Sequence, residues 1–236
     1  MNIFSLIFNA VLYQPMLNFL ILVYIYTNNF GIAVIGLTLL IKFLTNPLNE
    51  KALKSQKAMA EIQPKLKEIQ TKYKDSPEKQ AQEMMALYKE KKFNPFSGIM
   101  LLLIQIPIIW ALFYVFKGGI NIDPSQMYSF ISFPQTINPY FLGIDLSKPN
   151  IYLAVLTAIA QFFQAKTSTP PTVKGAADDK ASQITNMMQK QMIIFIPLIT
   201  LFVLYSLPAA LGLYWLITTI FTIIQQKAIF NKKEHD

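Results

Sequence analysis

The sequence predicts an all-α polytopic membrane protein, a bundle of five transmembrane helices with a cytoplasmic helical hairpin and an N-terminal interfacial helix. Three observations carry that prediction. The 236 residues are 53% hydrophobic with a mean hydropathy of +0.36, which is too apolar for an ordinary soluble domain. The apolar residues gather into runs close to the ~20 residues a spanning helix needs. Finally, the basic charge is all lysine and falls almost wholly on one side of those runs.

Taken in order, residues 1–29 are apolar but interrupted by Asn9, Gln14, Pro15 and Asn18. Hydropathy allows a sixth span or an amphipathic helix lying in the interface, and the interruptions favour the interfacial helix. Thr27-Asn28-Asn29 reads as a tight connection. Spans are expected at about 30–48, 96–116 and 150–167. The run 192–227 is too long for one crossing, and Pro208 with small residues after it divides it into about 191–206 and 209–227. These five spans form the core, residues 30–227.

Between the first two spans, residues 50–93 are soluble in character. Ile62, Leu66, Ile69 and Tyr73 form an apolar stripe at helical spacing. Ser76 then reads as an N-cap and Pro77 as the first residue of a second helix, with Ala81, Met84 and Tyr88 on one face. Residues 51–92 hold eleven lysines, the connection 166–190 four and the end from Lys227 three, against only Lys117 and Lys148 on the other side. The positive-inside rule therefore puts the hairpin, that connection and the short basic tail 228–236 in the cytoplasm, with the N-terminus and the loop 118–149 outside. The 166–190 connection, rich in Pro, Gly and small polar residues, is given no structure.

Polar residues recur inside the spans. Thr38, Lys42, Thr45, Asn46 and Asn49 share one helical face, as do Thr157, Gln161, Gln164 and Ser168, and again Tyr214, Thr218, Thr222, Gln225 and Gln226. The second span adds Gln105. Each stripe alone reads equally as interhelical hydrogen bonding worth about 1 kcal/mol per bond. An ammonium near the bilayer centre costs about 3 kcal/mol on an insertion scale. Lys42 must therefore either snorkel to the cytoplasmic surface or face a wet cavity. Three stripes around one cation favour a hydrated interior groove.

Much chemistry is absent. There is no cysteine, and the single histidine, His235, lies in the tail. The chain carries no HExxH, GxSxG, Walker A or GxGxxG motif, and no carboxylate lies in a span. These absences argue against an enzyme, a bound cofactor, a metal site and an ion-coupled transporter, and nothing singles out a nucleic acid as a specific partner. The first residues carry no basic n-region of a signal peptide.

Three fragments, NPFSGIMLLLIQIPIIWALFYVF (94–116), YFLGIDLSKPN (140–150) and LPAALGLYWLITTIFTIIQQ (207–226), resemble the YidC/Oxa/Alb family of membrane protein insertases. IQPKLKEIQTKYKD and EMMALYKE resemble that family's cytoplasmic hairpin. The resemblance covers most of residues 30–227 in order and matches the short form, which lacks a large extracytoplasmic domain. It implies a multi-pass plasma (inner) membrane protein. A hydrophilic groove open to cytoplasm and lipid would guide client transmembrane segments into the bilayer without nucleotide hydrolysis.

By that resemblance, Lys42 stands where the family carries an arginine. The charge is kept but the planar five-donor fork is not. Gln105 matches a polar position on the second span, and Tyr214 with Trp215 an aromatic pair on the fifth. The implied client-binding groove comprises Thr38, Lys42, Thr45, Asn46, Gln105, Thr157, Gln161, Tyr214, Trp215, Thr218 and Thr222. Implied partners are nascent membrane-protein clients and the lipid bilayer, with the Sec translocon and a ribosome or targeting receptor left open. Two other readings of the wet bundle also stay open, a small-solute channel or transporter and a non-catalytic assembly scaffold.

Overall fold

The structure is a computed structural model that describes residues 3–91, 93, 97–118, 123–132, 134, 136–168 and 180–231. Residues 169–179 of the 166–190 connection and 232–236 of the tail, His235 among them, lie outside the described residues.

The N-terminal segment is helical throughout: α1 (Ile3–Phe8), a π-helical turn (Asn9–Tyr13) and α2 (Gln14–Thr27). Asn28 closes α2 in the left-handed region, and the side chain of Asn29 caps the next helix by accepting from the Ile32 amide at 3.0 Å. Both asparagines thus perform the tight reversal expected of them.

α3 (Phe30–Lys72) is one helix of 43 residues. The span expected at about 30–48 and the first arm of the hairpin are thus continuous. Residues 49–61, NEKALKSQKAMAE, are mostly strong helix formers, and nothing in them stops propagation. Pro47 and Pro64 are carried inside the helix, each removing one backbone hydrogen bond.

α4 (Pro77–Glu90) folds back on α3, with Ser76 at the N-cap position but without a side-chain bond to the first turn. Ile62 and Leu66 close on Leu87, flanked by Ile69, Met84, Tyr88 and Phe93. Ala81, expected on this face, is exposed. Gln80 takes the facing position instead, donating to the Gln70 carbonyl at 3.2 Å.

α5 (Ser97–Gly118) and α6 (Ile151–Ser168) fall within two residues of expectation. α7 (Lys180–Ser206) starts about three turns earlier than the expected fourth span and takes up the end of a connection that sequence left without structure. α8 (Ala209–Phe230) follows after Pro208.

α8 packs between α3 and α6. α7 lies against α6, α2 against α3, and α5 reaches α2, α3 and α8. Phe30, Leu37, Leu112, Phe116, Leu211 and Tyr214 sit in the shared core. The outward faces of α6, α7 and α8 are apolar, with Leu156, Phe163, Phe195, Phe202 and Ile224 among their exposed residues. Apolar surface on this scale is lipid-facing surface. Ser5–Thr27, Phe30–Lys72 and Ala209–Phe230 are long and apolar enough to cross a membrane, while the apolar stretches Leu103–Lys117 and Ile193–Ser206 are shorter.

The loop between α5 and α6 forms a cap over one end of the bundle. Its two-stranded hairpin, β1 (Tyr140–Phe141) and β2 (Ile144–Asp145), turns through Leu142 and Gly143, both at positive φ. Carbonyls of Leu146 and Lys148 accept from the amides of Ala210 and Ala209, each at 2.9 Å, satisfying donors that the first turn of α8 would otherwise leave open. The polar residues that interrupt the N-terminal segment bind this cap. Asn18 donates to the Gln126 carbonyl at 3.0 Å and accepts from the Tyr128 amide at 2.8 Å, while Asn9 and Gln14 both reach the Gln126 side chain. The Tyr24 hydroxyl accepts from the Asn138 amide at 2.8 Å.

Candidate functional site

α8 is the element on which the polar side chains of its neighbours converge. Lys42 comes from α3, four residues below Thr38, and is only 5% exposed. Its Nζ donates to Thr222 Oγ1 at 3.1 Å and lies 5.3 Å from the centroid of the Phe221 ring. The ammonium is thus turned inward onto α8 rather than outward along its stem. Thr222 can accept because its own hydroxyl proton is committed to the Thr218 carbonyl at 2.8 Å. One turn lower on α3, Asn46 accepts from Gln225 Nε2.

The other stripes meet α8 at different heights. Gln105 of α5 donates to the Tyr214 hydroxyl at 2.8 Å, and Tyr214 is 2% exposed. On α6, Thr157 Oγ1 lies 2.8 Å from the Leu153 carbonyl and 3.2 Å from the Gly212 carbonyl, and Thr167 donates to Gln226 Oε1 at 3.0 Å. Thr38 and Thr45 bond back to carbonyls of their own helix. Trp215 is half-buried against the core. Tyr214 and Thr222 are eight residues apart, about 12 Å along α8. Of the sequence-derived site residues on other helices, Lys42, Asn46, Gln105 and Thr157 are therefore brought onto α8 while Thr38 and Thr45 are not, and the contacts are separate rather than one cluster.

Two buried amide oxygens, Gln161 Oε1 and Gln225 Oε1, have no hydrogen-bond partner among the described residues. Gln225 lies three residues beyond Thr222 on α8. A cleft of about 510 Å³ adjoins the same place, lined by Phe19, Gly36, Leu39, Leu40, Phe43, Asn46 and Phe221. Asn46 and Phe221 belong both to this cleft and to the surroundings of Lys42. Phe221, Gln225, Gln226 and Thr167 were not among the site residues read from sequence. The glutamines were visible as the continuation of the α8 stripe, whereas a phenylalanine in an apolar run gives no signal at all. Among the described residues, no group of three or more His, Cys, Asp or Glu side chains is arranged to hold a metal ion.

A helical bundle with an apolar exterior and a lysine enclosed between two of its helices is a polytopic membrane protein with a polar interior. The chain belongs to the 60Kd inner membrane protein family, whose sequence pattern matches residues 22–236. It is 34% identical over 219 residues to the membrane protein insertase YidC of Wigglesworthia glossinidia brevipalpis, covering 92% of this chain and 36% of that protein. It is 35% identical over 206 residues to the YidC of Prosthecochloris aestuarii, covering 85% of this chain and 33% of that one. The chain thus spans about a third of the length of these relatives. The fold is similar to a crystal structure of an active YidC insertase with its first transmembrane domain resolved. The TM-score is 0.59 at 24% identity, over 99% of this chain and 48% of that one.

Proposed function

We propose that this chain guides client transmembrane segments from the cytoplasm into the bilayer, acting as a membrane protein insertase and using no nucleotide. The observation that supports this reading is Lys42, held inward between α3 and α8 beside buried acceptors that the protein leaves without partners. Buried acceptors of this kind are satisfied by water or by a visiting polar chain. A client's short polar tail entering from the cytoplasm finds there a cation and open hydrogen-bonding groups, which spare it part of the desolvation that bare lipid imposes. Its apolar segment then moves into lipid along the exposed apolar faces of α6 and α8, driven by burial at about 25 cal/mol per Å².

In this reading five spans form the core. The α3–α4 hairpin and the C-terminal end lie in the cytoplasm and the cap lies outside, as lysine placement directs. The segment α1–α2 lies along the outer interface. Asn9, Gln14, Asn18 and Tyr24 all touch the cap, over about 22 Å of helix. A helix running down the bundle would meet the cap only at one end. The hairpin is the surface on which the translocon, a ribosome or a targeting receptor would dock.

A second reading has its own support. Gln105 with Tyr214, Thr157 with Gly212 and Thr167 with Gln226 are closed interhelical contacts, so these residues serve as glue whatever the protein does. The test is insertion of a single-span client with an acidic N-terminal tail into proteoliposomes, scored by protease protection, for wild type, Lys42→Arg and Lys42→Ala. Insertion retained with arginine and lost with alanine, at unchanged expression, supports a charge that handles the client. Full activity in both variants removes Lys42 from the mechanism. Solute flux through wild-type liposomes would favour a channel.

A further inference from the structure

The motif YFLGIDLSKPN gives almost every residue a task in holding the cap. Asn138 Oδ1 accepts from the Tyr140 amide at 3.1 Å. The Phe141 ring lies against Gly31 of α3, and Ile144 packs on the core. Asp145 accepts from Ser147 and pairs with Lys148 at 3.1 Å. The carbonyls of Leu146 and Lys148 close the start of α8, and Asn150 caps α6 by accepting from the Leu153 amide at 3.0 Å.

Leu142 is the exception. It occupies the first central position of the turn at φ 51, where a Cβ is penalised and asparagine or glycine is the usual residue. Its side chain is 86% exposed, more than any other large apolar residue among those described. So exposed, it packs against little among the described residues, and the turn would form more easily without it.

The position of the tip supplies the reason. The hairpin is fixed at its base over α8 and through Phe141 over the second residue of α3, so its tip projects past the start of α3. Exposed tyrosines stand at the same end of the bundle: Tyr26 in the last turn of α2 and Tyr152 in the first turn of α6, 82% and 80% exposed. Tyrosines so placed mark the headgroup level of a bilayer.

We infer that Leu142 is a lipid anchor, a side chain that the cap hairpin inserts into the outer leaflet at the rim of the bundle, fixing the cap to the membrane surface. The inference rests on the outer placement of the cap proposed above and extends it. It requires only lipid, with neither client nor partner protein.

The chain has no cysteine, so Leu142→Cys, Ser129→Cys and Phe202→Cys each give a single labelling site. Ser129 is an exposed cap residue, and Phe202 an exposed residue on the outward face of α7. Nitroxide-labelled protein in nanodiscs is compared for collisions with oxygen, which concentrates in lipid, and with a water-soluble nickel chelate. The expected result is oxygen preference at 142 and 202 and nickel preference at 129. Nickel preference at 142 with oxygen preference at 202 overturns the anchor and leaves the membrane topology standing. Nickel preference at both overturns the topology and the anchor with it. As a second measurement, Leu142→Trp should add emission that lipids brominated high in their acyl chains quench beyond the wild-type baseline. An added component quenched only by aqueous iodide would also overturn the anchor.

Discussion

The ring of Phe141 occupies the space that a Cβ on Gly31 would need, so the cap and α3 can meet only because the second residue of α3 is a glycine. Gly31→Ala must push the hairpin away or rotate a half-buried ring, an overpacking cost of about 1–3 kcal/mol. The apparent thermal midpoint in detergent should fall, and Phe141→Ala in the same chain should recover part of the loss. An unchanged midpoint in Gly31→Ala would mean the hairpin is only loosely seated.

Asn18→Leu makes the N-terminal segment more apolar, and hydropathy alone expects it to stabilise a membrane-associated helix. The structure gives the opposite sign. The substitution strands the Tyr128 amide and removes the donor to the Gln126 carbonyl, at about 1–3 kcal/mol. Hydrogen exchange across residues 123–132 should speed up. A slower or unchanged exchange would count against the cap contacts described here.

Gln105→Leu and Tyr214→Phe each break one buried interhelical bond, and the double variant removes both partners. Each single change should cost about 1 kcal/mol, and the double should cost clearly less than the sum. Strict additivity in unfolding measurements would mean the two residues do not interact.

The Ser147 hydroxyl and amide hold the Asp145 carboxyl below its ordinary 3.8, with Lys148 adding to the effect. A depressed carboxyl stabilises the fold above its unfolded value, and that contribution is lost as pH falls through the lower folded value. The midpoint difference between wild type and Asp145→Asn should therefore be flat from about pH 8 to 5 and shrink only below about pH 4. A change centred near neutrality would point to another group.

Most of the helices were legible because long apolar runs and lysine asymmetry are collective signals, insensitive to any one residue. The boundaries that failed did so for a local reason. Pro47 signals an end in soluble proteins, yet here the helix formers that follow it carry α3 through. The polar members of the site were also legible, since Lys42 and the α8 threonines break an apolar pattern. Their pairing was not. That Lys42 meets Thr222 while Asn46 meets Gln225 depends on the rotation and depth at which α3 and α8 pack, which no periodicity encodes. Asn9, Gln14 and Asn18 read as flaws in a hydrophobic helix because their partners lie more than a hundred residues away.

The length of α3 makes it a lever. At about 1.5 Å per residue it extends some 64 Å, bearing Gly31 under the cap at one end and the Ile62–Leu66 seat of the hairpin near the other. Its weak point is built in: Pro47, just over one turn below Lys42, frees the carbonyl of Phe43, the residue next to that lysine. A load placed on the hairpin end of the helix would act first at that missing hydrogen bond, which lies beside the buried cation.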